Sequence, residues 1–235
     1  SNICTAQALP AVVASMYAIY HGSKGLREIA FSIHLKTRSL AIALEKLGCE
    51  ILTQKYFDTI RVRPTKEQNK AIASRLRCAS INVRHFDENI IGLTLDESTE
   101  LSELPKLIEA ITNIPIEACE LDKADCELPD YLKRPSDFLN NLVFTSYTSE
   151  TKLLRYMQKL KSRDLSLTHS MIPLGSCTMK LNSTTTMLPI SWSIFSNVHP
   201  FAPKEQSDGY EYIFRELESM ISTITGFDGV SLQPN

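Results

Sequence analysis

The chain has 235 residues, 43% hydrophobic and 22% charged, enough to bury a substantial core in one or two domains. A formal net charge of −2 supplies no basic field for nucleic acid or an anionic membrane, and no apolar run reaches the length of a membrane span. Six cysteines, Cys4, Cys49, Cys78, Cys119, Cys126 and Cys177, include no C-x-x-C pair, which points to reduced thiols in an intracellular compartment rather than a disulfide framework.

From Thr5 to about Tyr20 the run of Ala, Val, Met and Tyr with almost no charge predicts a helix buried on most sides. Pro10 either kinks it or marks its first turn. His21-Gly22-Ser23 breaks the run. Leu26, Ile29, Ile33, Leu40, Leu44 and Leu47 then resume at helical spacing, with Gly48 as the stop. His21 and His34 read as helix-end or face residues, because neither has a partner at metal-ligand spacing.

Residues Glu50 to Arg63, with Phe57-Asp58-Thr59 at the centre, read as extended chain. Pro64-Thr65 opens a short amphipathic helix to Arg77, with Ala71, Ile72 and Leu76 on one face. Ile81 to Arg84 and Ile90 to Leu95 read as strands joined by Asp87-Glu88-Asn89. A helix over Ser102 to Ile111 groups Leu104, Leu107 and Ile108. Together these elements predict a small α/β sandwich.

Ile114 to Glu150, with Pro115, Pro129 and Pro135 and few periodic apolar residues, reads as a connection between domains. A helix follows from Ser149 to Lys161, capped by Ser149 or Thr148 and carrying Leu153, Leu154, Tyr156, Met157 and Leu160. His199-Pro200-Phe201-Ala202-Pro203 reads as a stiff turn. Glu205 to Thr225 is an amphipathic helix with a stripe of Tyr210, Ile213, Phe214, Leu217, Met220, Ile221 and Ile224, ended by Gly226. Val230 to Gln233 reads as the first strand of a further sheet. The chain starts at Ser1 without an initiator Met and stops at Asn235 just after that strand, so an internal segment of a longer protein is expected.

The densest chemistry lies between His169 and Asn182, HSMIPLGSCTMKLN. Pro173 and Gly175 predict a tight loop that gathers hydroxyls, a thiol, an ammonium and an amide. It lacks the G-x-x-x-x-G-K-[ST] pattern of a phosphate loop. Cys177 near Lys180 fits an activated thiol and Lys180 a Schiff-base amine, while the bland alternative is a solvated polar loop. His169 and His199 fit pocket walls, and neither belongs to a metal motif.

Several segments together resemble one family, the P-protein of the glycine cleavage system, a pyridoxal-phosphate-dependent glycine decarboxylase. They are SNICTAQAL from Ser1, YFDTI from Tyr56, LTLDE from Leu93 and DLSLTHSMIPLGSCTMKLN from Asp164, then HPFAP from His199, QSDGY from Gln206 and TGFDGVSLQPN from Thr225. They span the chain, and MIPLGSCTMKLN is highly specific.

The resemblance implies an α/β protein of fold type I, the aspartate-aminotransferase-like architecture, present here in part. Residues 1–120 would be the connecting helix and small α/β domain of a first half, 121–149 a linker, and 150–235 the start of a second half. It implies pyridoxal 5'-phosphate as cofactor, held by a lysine beyond Asn235, so Lys180 is not that lysine and no catalytic residue is expected in this segment. Glycine would lose carbon dioxide, and its aminomethyl group would pass to the lipoyl group of H-protein. T-protein, L-protein and a second copy of the chain are the other implied partners, with neither nucleic acid nor membrane among them. The location implied is the mitochondrial matrix in a eukaryote and the cytoplasm in a bacterium. Ser176, Cys177, Thr178, Lys180 and Asn182 match the family's polar loop, and His199 its His-Pro turn. They are the candidates for the substrate or cofactor pocket, against the alternative that each braces its loop. Asn141 and Thr148 stand where many relatives carry histidine, which leaves the linker's function open. The alternative to an active segment is a non-catalytic fragment serving only as a structural or interaction module.

Overall fold

The computed structural model describes residues 8–64, 69–86, 89–117, 121, 128–163 and 184–232. It divides into two compact units, one Ala11–Leu154 and the other Ser1–Pro10 with Arg155–Asn235.

Helix α1 (Ala8–Lys46) is interrupted at Gly22, whose φ of 60° and ψ of −173° are not helical. That region is essentially closed to residues with a Cβ. Space closes it too, because a Cβ on Gly22 would run into the Phe144 carbonyl oxygen. The break expected at His21-Gly22-Ser23 is therefore a kink. Pro10 sits in the first turn, where its missing N–H costs nothing. The first half of α1 departs from expectation. Leu9, Val12 and Val13 are exposed, and the buried positions cluster from His34 to Leu44, because only that half faces the sheet.

Gly48, at φ 88°, ends the helix as expected. The Cys49 N–H reaches the Leu44 carbonyl and the Gly48 N–H that of Glu45, the paired bonds of a Schellman stop. The chain then forms β1 (Glu50–Ile51) and β2 (Thr59–Arg63), antiparallel with Glu50 opposite Arg63. Strands β3 (Arg84–His85) and β4 (Ile91–Thr94) complete a four-stranded sheet in the order β1-β2-β4-β3, antiparallel throughout. In β2, Ile60 and Val62 point inward while Thr59, Arg61 and Arg63 point out, the period-two alternation of a sheet covered on one face.

Helix α2 (Asn69–Cys78) buries Ile72 and Leu76. Ala71 is exposed, contrary to expectation, since one residue turns a helical side chain by about 100°. The expected start of α2 at Pro64-Thr65 runs through residues 65–68, outside the described residues. Strand β3 begins later than the predicted Ile81. Ser80 turns left-handed at φ 58°, and the Ile81 N–H is used to cap Leu76, so the backbone there belongs to the helix stop and not to the sheet.

Helix α3 (Leu104–Thr112) buries Leu104, Leu107, Ile108, Ala110 and Ile111. Asn113, left-handed at φ 59°, ends it by bonding back to Glu109. Arg75 of α2 donates from Nε to the Ala110 carbonyl at 2.9 Å, occupying an acceptor at the end of α3. One core joins α1, the sheet, α2 and α3 through Leu40, Leu44, Ile60, Ile72, Ile91 and Ile108. Each of these side chains is worth about 1.5–3 kcal/mol of burial. The predicted α/β lobe is present.

The rest of the first unit is irregular: a 3-10 turn at Asp130–Leu132, then α4 (Val143–Ser146). Helix α5 (Glu150–Lys161) occupies its predicted span, and the Ser149 carbonyl accepts the Leu153 N–H, as a residue just outside a helix start does.

In the other unit, α6 (Thr184–Met187), a 3-10 turn at Leu188–Ser191 and α7 (Ser193–Ser196) lead to α8 (Asp208–Thr225). The Trp192 carbonyl caps the start of α7 by accepting the N–H groups of Phe195 and Ser196 at 2.8 Å each. Tyr210 ties α8 to α7, donating from its hydroxyl to the Phe195 carbonyl at 2.7 Å with its ring edge-on to Phe195 at 6.0 Å. Gly226, at φ 76°, ends α8 as expected. The predicted apolar stripe exists but faces solvent, with Ile213 at 44%, Leu217 at 42% and Ile224 at 83% exposure. Val230, Ser231 and Leu232 form no strand, because no neighbouring strand among the described residues offers them a ladder.

Candidate functional site

Ser176, Cys177, Thr178, Lys180 and Asn182 lie outside the described residues. So does His169. Of the pocket candidates, His199 is placed. Its Nδ1 accepts the Phe201 N–H at 3.0 Å, its carbonyl accepts the Ala202 N–H at 2.9 Å, and its ring lies 5.7 Å from that of Phe201. The imidazole is exposed and staples its own turn.

The motifs YFDTI and LTLDE come together on the second half of α1. Thr59 and Thr94 share a hydroxyl–hydroxyl hydrogen bond of 3.0 Å across β2 and β4, and the Asp58 carbonyl accepts the Leu95 N–H at 3.1 Å. Lys36 of α1 is buried and donates from Nζ to the carbonyls of Asp96 at 2.8 Å and Thr99 at 2.6 Å. These contacts fix the loop after β4. Asp96 Oδ1 organises the same loop by accepting from the N–H and hydroxyl groups of both Ser98 and Thr99. The Ser98 hydroxyl first, and then the Thr99 donors, hold the Asp96 carboxyl below its ordinary range despite some desolvation.

His34, two residues before Lys36 on the same helix, donates from Nδ1–H to the Phe57 carbonyl at 2.9 Å and lies parallel to the Phe57 ring, 6.1 Å away. That partner fixes the tautomer and leaves Nε2 a buried acceptor with no hydrogen bond. Burial pushes the neighbouring Tyr56 phenol upward, the Glu45 carboxylate adds to the shift and the Arg38 guanidinium opposes it. The chemistry of this cluster is that of a joint. His34, Lys36 and the Thr59–Thr94 pair each hold one segment against another.

One open cleft of about 300 Å³ lies on α1, lined by His21, Gly25, Glu28, Ile29, Ser32 and Glu97. Tyr17 borders it, donating its hydroxyl to Glu97 Oε2 at 2.7 Å and packing 4.4 Å from the His21 ring. That hydrogen bond, with burial and the Glu97 charge behind it, raises the Tyr17 phenol above its ordinary range. Sequence reasoning passed over this cleft. The signal was the spacing of His21, Gly25, Glu28 and Ser32, three or four residues apart along one helix face. An imidazole and two carboxylates suit a hydrogen-bond donor or an organic cation, yet Glu28 already pairs with Lys24 at 3.8 Å. Among the described residues no three His, Cys, Asp or Glu side chains are placed to hold a metal ion, and no helix is long and apolar enough to cross a membrane.

The family model of the glycine cleavage system P-protein matches residues 1–111. Glycine dehydrogenase (decarboxylating) of Thermosynechococcus vestitus is 51% identical over 235 residues, covering 100% of this chain and 24% of that protein. The protein of the same name from Rhodopseudomonas palustris is 51% identical over 239 residues, covering 100% of this chain and 24% of its own length. The Pisum sativum relative, whose name adds "mitochondrial", is 46% identical over 239 residues, covering 100% of this chain and 22% of its own. The chain thus spans about a quarter of the length of the relatives it matches.

Proposed function

We propose that this chain, which carries the glycine cleavage system P-protein domain over residues 1–111 and is related over its whole length to glycine dehydrogenase (decarboxylating), acts as one segment of that enzyme. The full protein would remove carbon dioxide from glycine and pass the aminomethyl group to the lipoyl group of H-protein, alongside T-protein and L-protein and as a homodimer. The observation that carries this reading is 51% identity across 100% of the chain, which takes in the polar loop as well as the α/β lobe.

In the full protein the fold would be the aspartate-aminotransferase-like type I architecture. The four-stranded antiparallel sheet with its flanking helices would serve as the small domain closing the first half, within residues 1–120. The turn-rich stretch would serve as the linker over 121–149, and residues 150–235 would open the second half. The compartment would be the mitochondrial matrix in a eukaryote, as the name of the Pisum sativum relative suggests, and the cytoplasm in a bacterium.

The full enzyme would use pyridoxal 5'-phosphate. The described residues do not make a cradle for it: His199, the placed candidate, commits Nδ1 to Phe201 and stands exposed. The cofactor would be held by a lysine outside this segment. The role left to the described residues is to brace the small domain. Ser176, Cys177, Thr178, Lys180 and Asn182 remain the candidates for donors to the glycine carboxylate or the cofactor phosphate through charge-assisted hydrogen bonds.

The test is the native protein's intact mass and absorbance. A chain about four times as long as this one, with cofactor absorbance that shifts on adding glycine, supports the proposal. A native chain of this length without cofactor supports the structural module instead. In the active enzyme, Ser176→Ala and Thr178→Val should lower glycine turnover more than thermal stability. Unchanged turnover at unchanged stability removes the loop from the pocket.

A further inference from the structure

We propose that residues 130–146 form a strap that opens and closes as a unit over the kink of α1, latched at Phe138 and seated at Gly22. Two backbone outliers mark this contact, Gly22 on α1 beneath the stretch and Leu139 within it. Gly22 adopts a conformation closed to other residues, and the Phe144 carbonyl occupies the space where any Cβ would sit. Leu139 is left-handed at φ 55°, an uncommon state for a bulky residue that is kept only where the surroundings enforce it.

Two cations meet on the ring of Phe138, the residue before Leu139. The Arg27 guanidinium of α1 lies over its ring at 5.2 Å and that of Arg134 at 4.7 Å, while Arg27 also approaches the Asp137 carboxylate at 3.9 Å. At its start the strap is tethered by the Tyr131 hydroxyl donating to the Tyr56 carbonyl at 3.3 Å and by the Lys55 ammonium 5.6 Å from the Tyr131 ring. None of its residues belongs to the buried core. Solvent-exposed cation–π contacts and ion pairs are individually weak, whereas the lobe beneath is held by fully buried Leu and Ile. A segment tied to a firm lobe by a few weak surface contacts opens below the cost of global unfolding.

Amide hydrogen exchange on the native protein tests this. The probes are the N–H groups of Phe144 and Thr145, bonded to the carbonyls of Asn141 and Leu142, against those of β4 and α3. Phe138→Ala should speed the strap amides at least about tenfold and leave β4 and α3 unchanged, while Phe138→Trp, which keeps an aromatic face for both arginines, should preserve protection. Gly22→Ala should release the strap in the same way. Unchanged strap exchange in Phe138→Ala overturns the proposal, as does equal acceleration in β4, which would mean the strap shares the lobe's stability. Loss of protection in Phe138→Trp equal to that in Phe138→Ala overturns the latch.

Discussion

The Lys36 ammonium donates to the Asp96 carbonyl oxygen at 2.8 Å, a buried cation held by backbone rather than by a carboxylate. With the second bond to Thr99 it ties the loop after β4 to α1. Lys36→Met keeps the apolar stem and leaves both carbonyls without that donor. A loss of about 2–4 kcal/mol is expected, because hydrogen bonds to charged groups are worth more than neutral ones. The urea midpoint measures it, and a loss below the error of the fit would mean water replaces the ammonium.

Asp96 makes the same loop sensitive to acid. Its folded carboxyl lies below the ordinary value, chiefly through the Ser98 hydroxyl. A depressed folded value contributes stability above the unfolded pKa that is lost as pH falls through the folded one. Stability should therefore decline from about pH 4 downward, and Asp96→Asn should flatten that decline. Urea midpoints across the acid range check it. Identical acid limbs in the two proteins would remove Asp96 as a cause.

Ile108 has 0% exposure between α3 and the sheet. Ile108→Ala should cost about 2–5 kcal/mol, the transfer loss plus the cavity left behind. Thermal or urea unfolding followed by circular dichroism gives the value. A cost under 1 kcal/mol would mean the core collapses around the missing atoms.

Gly226 separates conformational strain from collision. At φ 76° it has nothing within 4 Å of where a Cβ would stand, so Gly226→Ala should cost only the left-handed penalty, about 1–2 kcal/mol. Gly22→Ala meets both the forbidden backbone and the Phe144 carbonyl and should cost more. Equal costs would mean that α1 straightens to accommodate the methyl group.

The exposed face of α8, through Ile213, Phe214, Leu217, Met220 and Ile224, is a large apolar surface for one helix. The 235-residue chain should bind a hydrophobic dye, and Leu217→Glu with Ile224→Glu should weaken the fluorescence. Equal dye binding by the double variant would place the apolar surface elsewhere.

The sequence was most legible where one residue's chemistry decides the outcome. Gly22, Gly48 and Gly226 each mark a backbone that other residues avoid: Gly48 and Gly226 end their helices as read, and Gly22 kinks α1 where a break is read. The α3 stripe was legible for a similar reason, since Leu104, Leu107 and Ile108 share one face at helical spacing. What failed depended on neighbours. The charge-poor start of α1 looked buried because composition cannot tell which surface covers Val12 and Val13. Ile81 reads as a strand residue, but its N–H caps α2. The burial of Lys36 and the Phe138 contacts join residues far apart in sequence, and no periodicity announces them. Of the candidate pocket, His199 was legible as a turn residue, and its Nδ1 bond to Phe201 explains why a His-Pro turn forms there.

Trp192 is the chain's single tryptophan, half exposed between the Leu188–Ser191 turn and α7. Its emission is therefore a local signal for the unit that contains α7 and α8. The sheet and its three buttressing helices will melt without a tryptophan to announce it, and only far-ultraviolet dichroism will register the event. Two different midpoints from those two instruments would then mean that the units come apart at separate denaturant concentrations, through a state with one unit folded and the other unfolded.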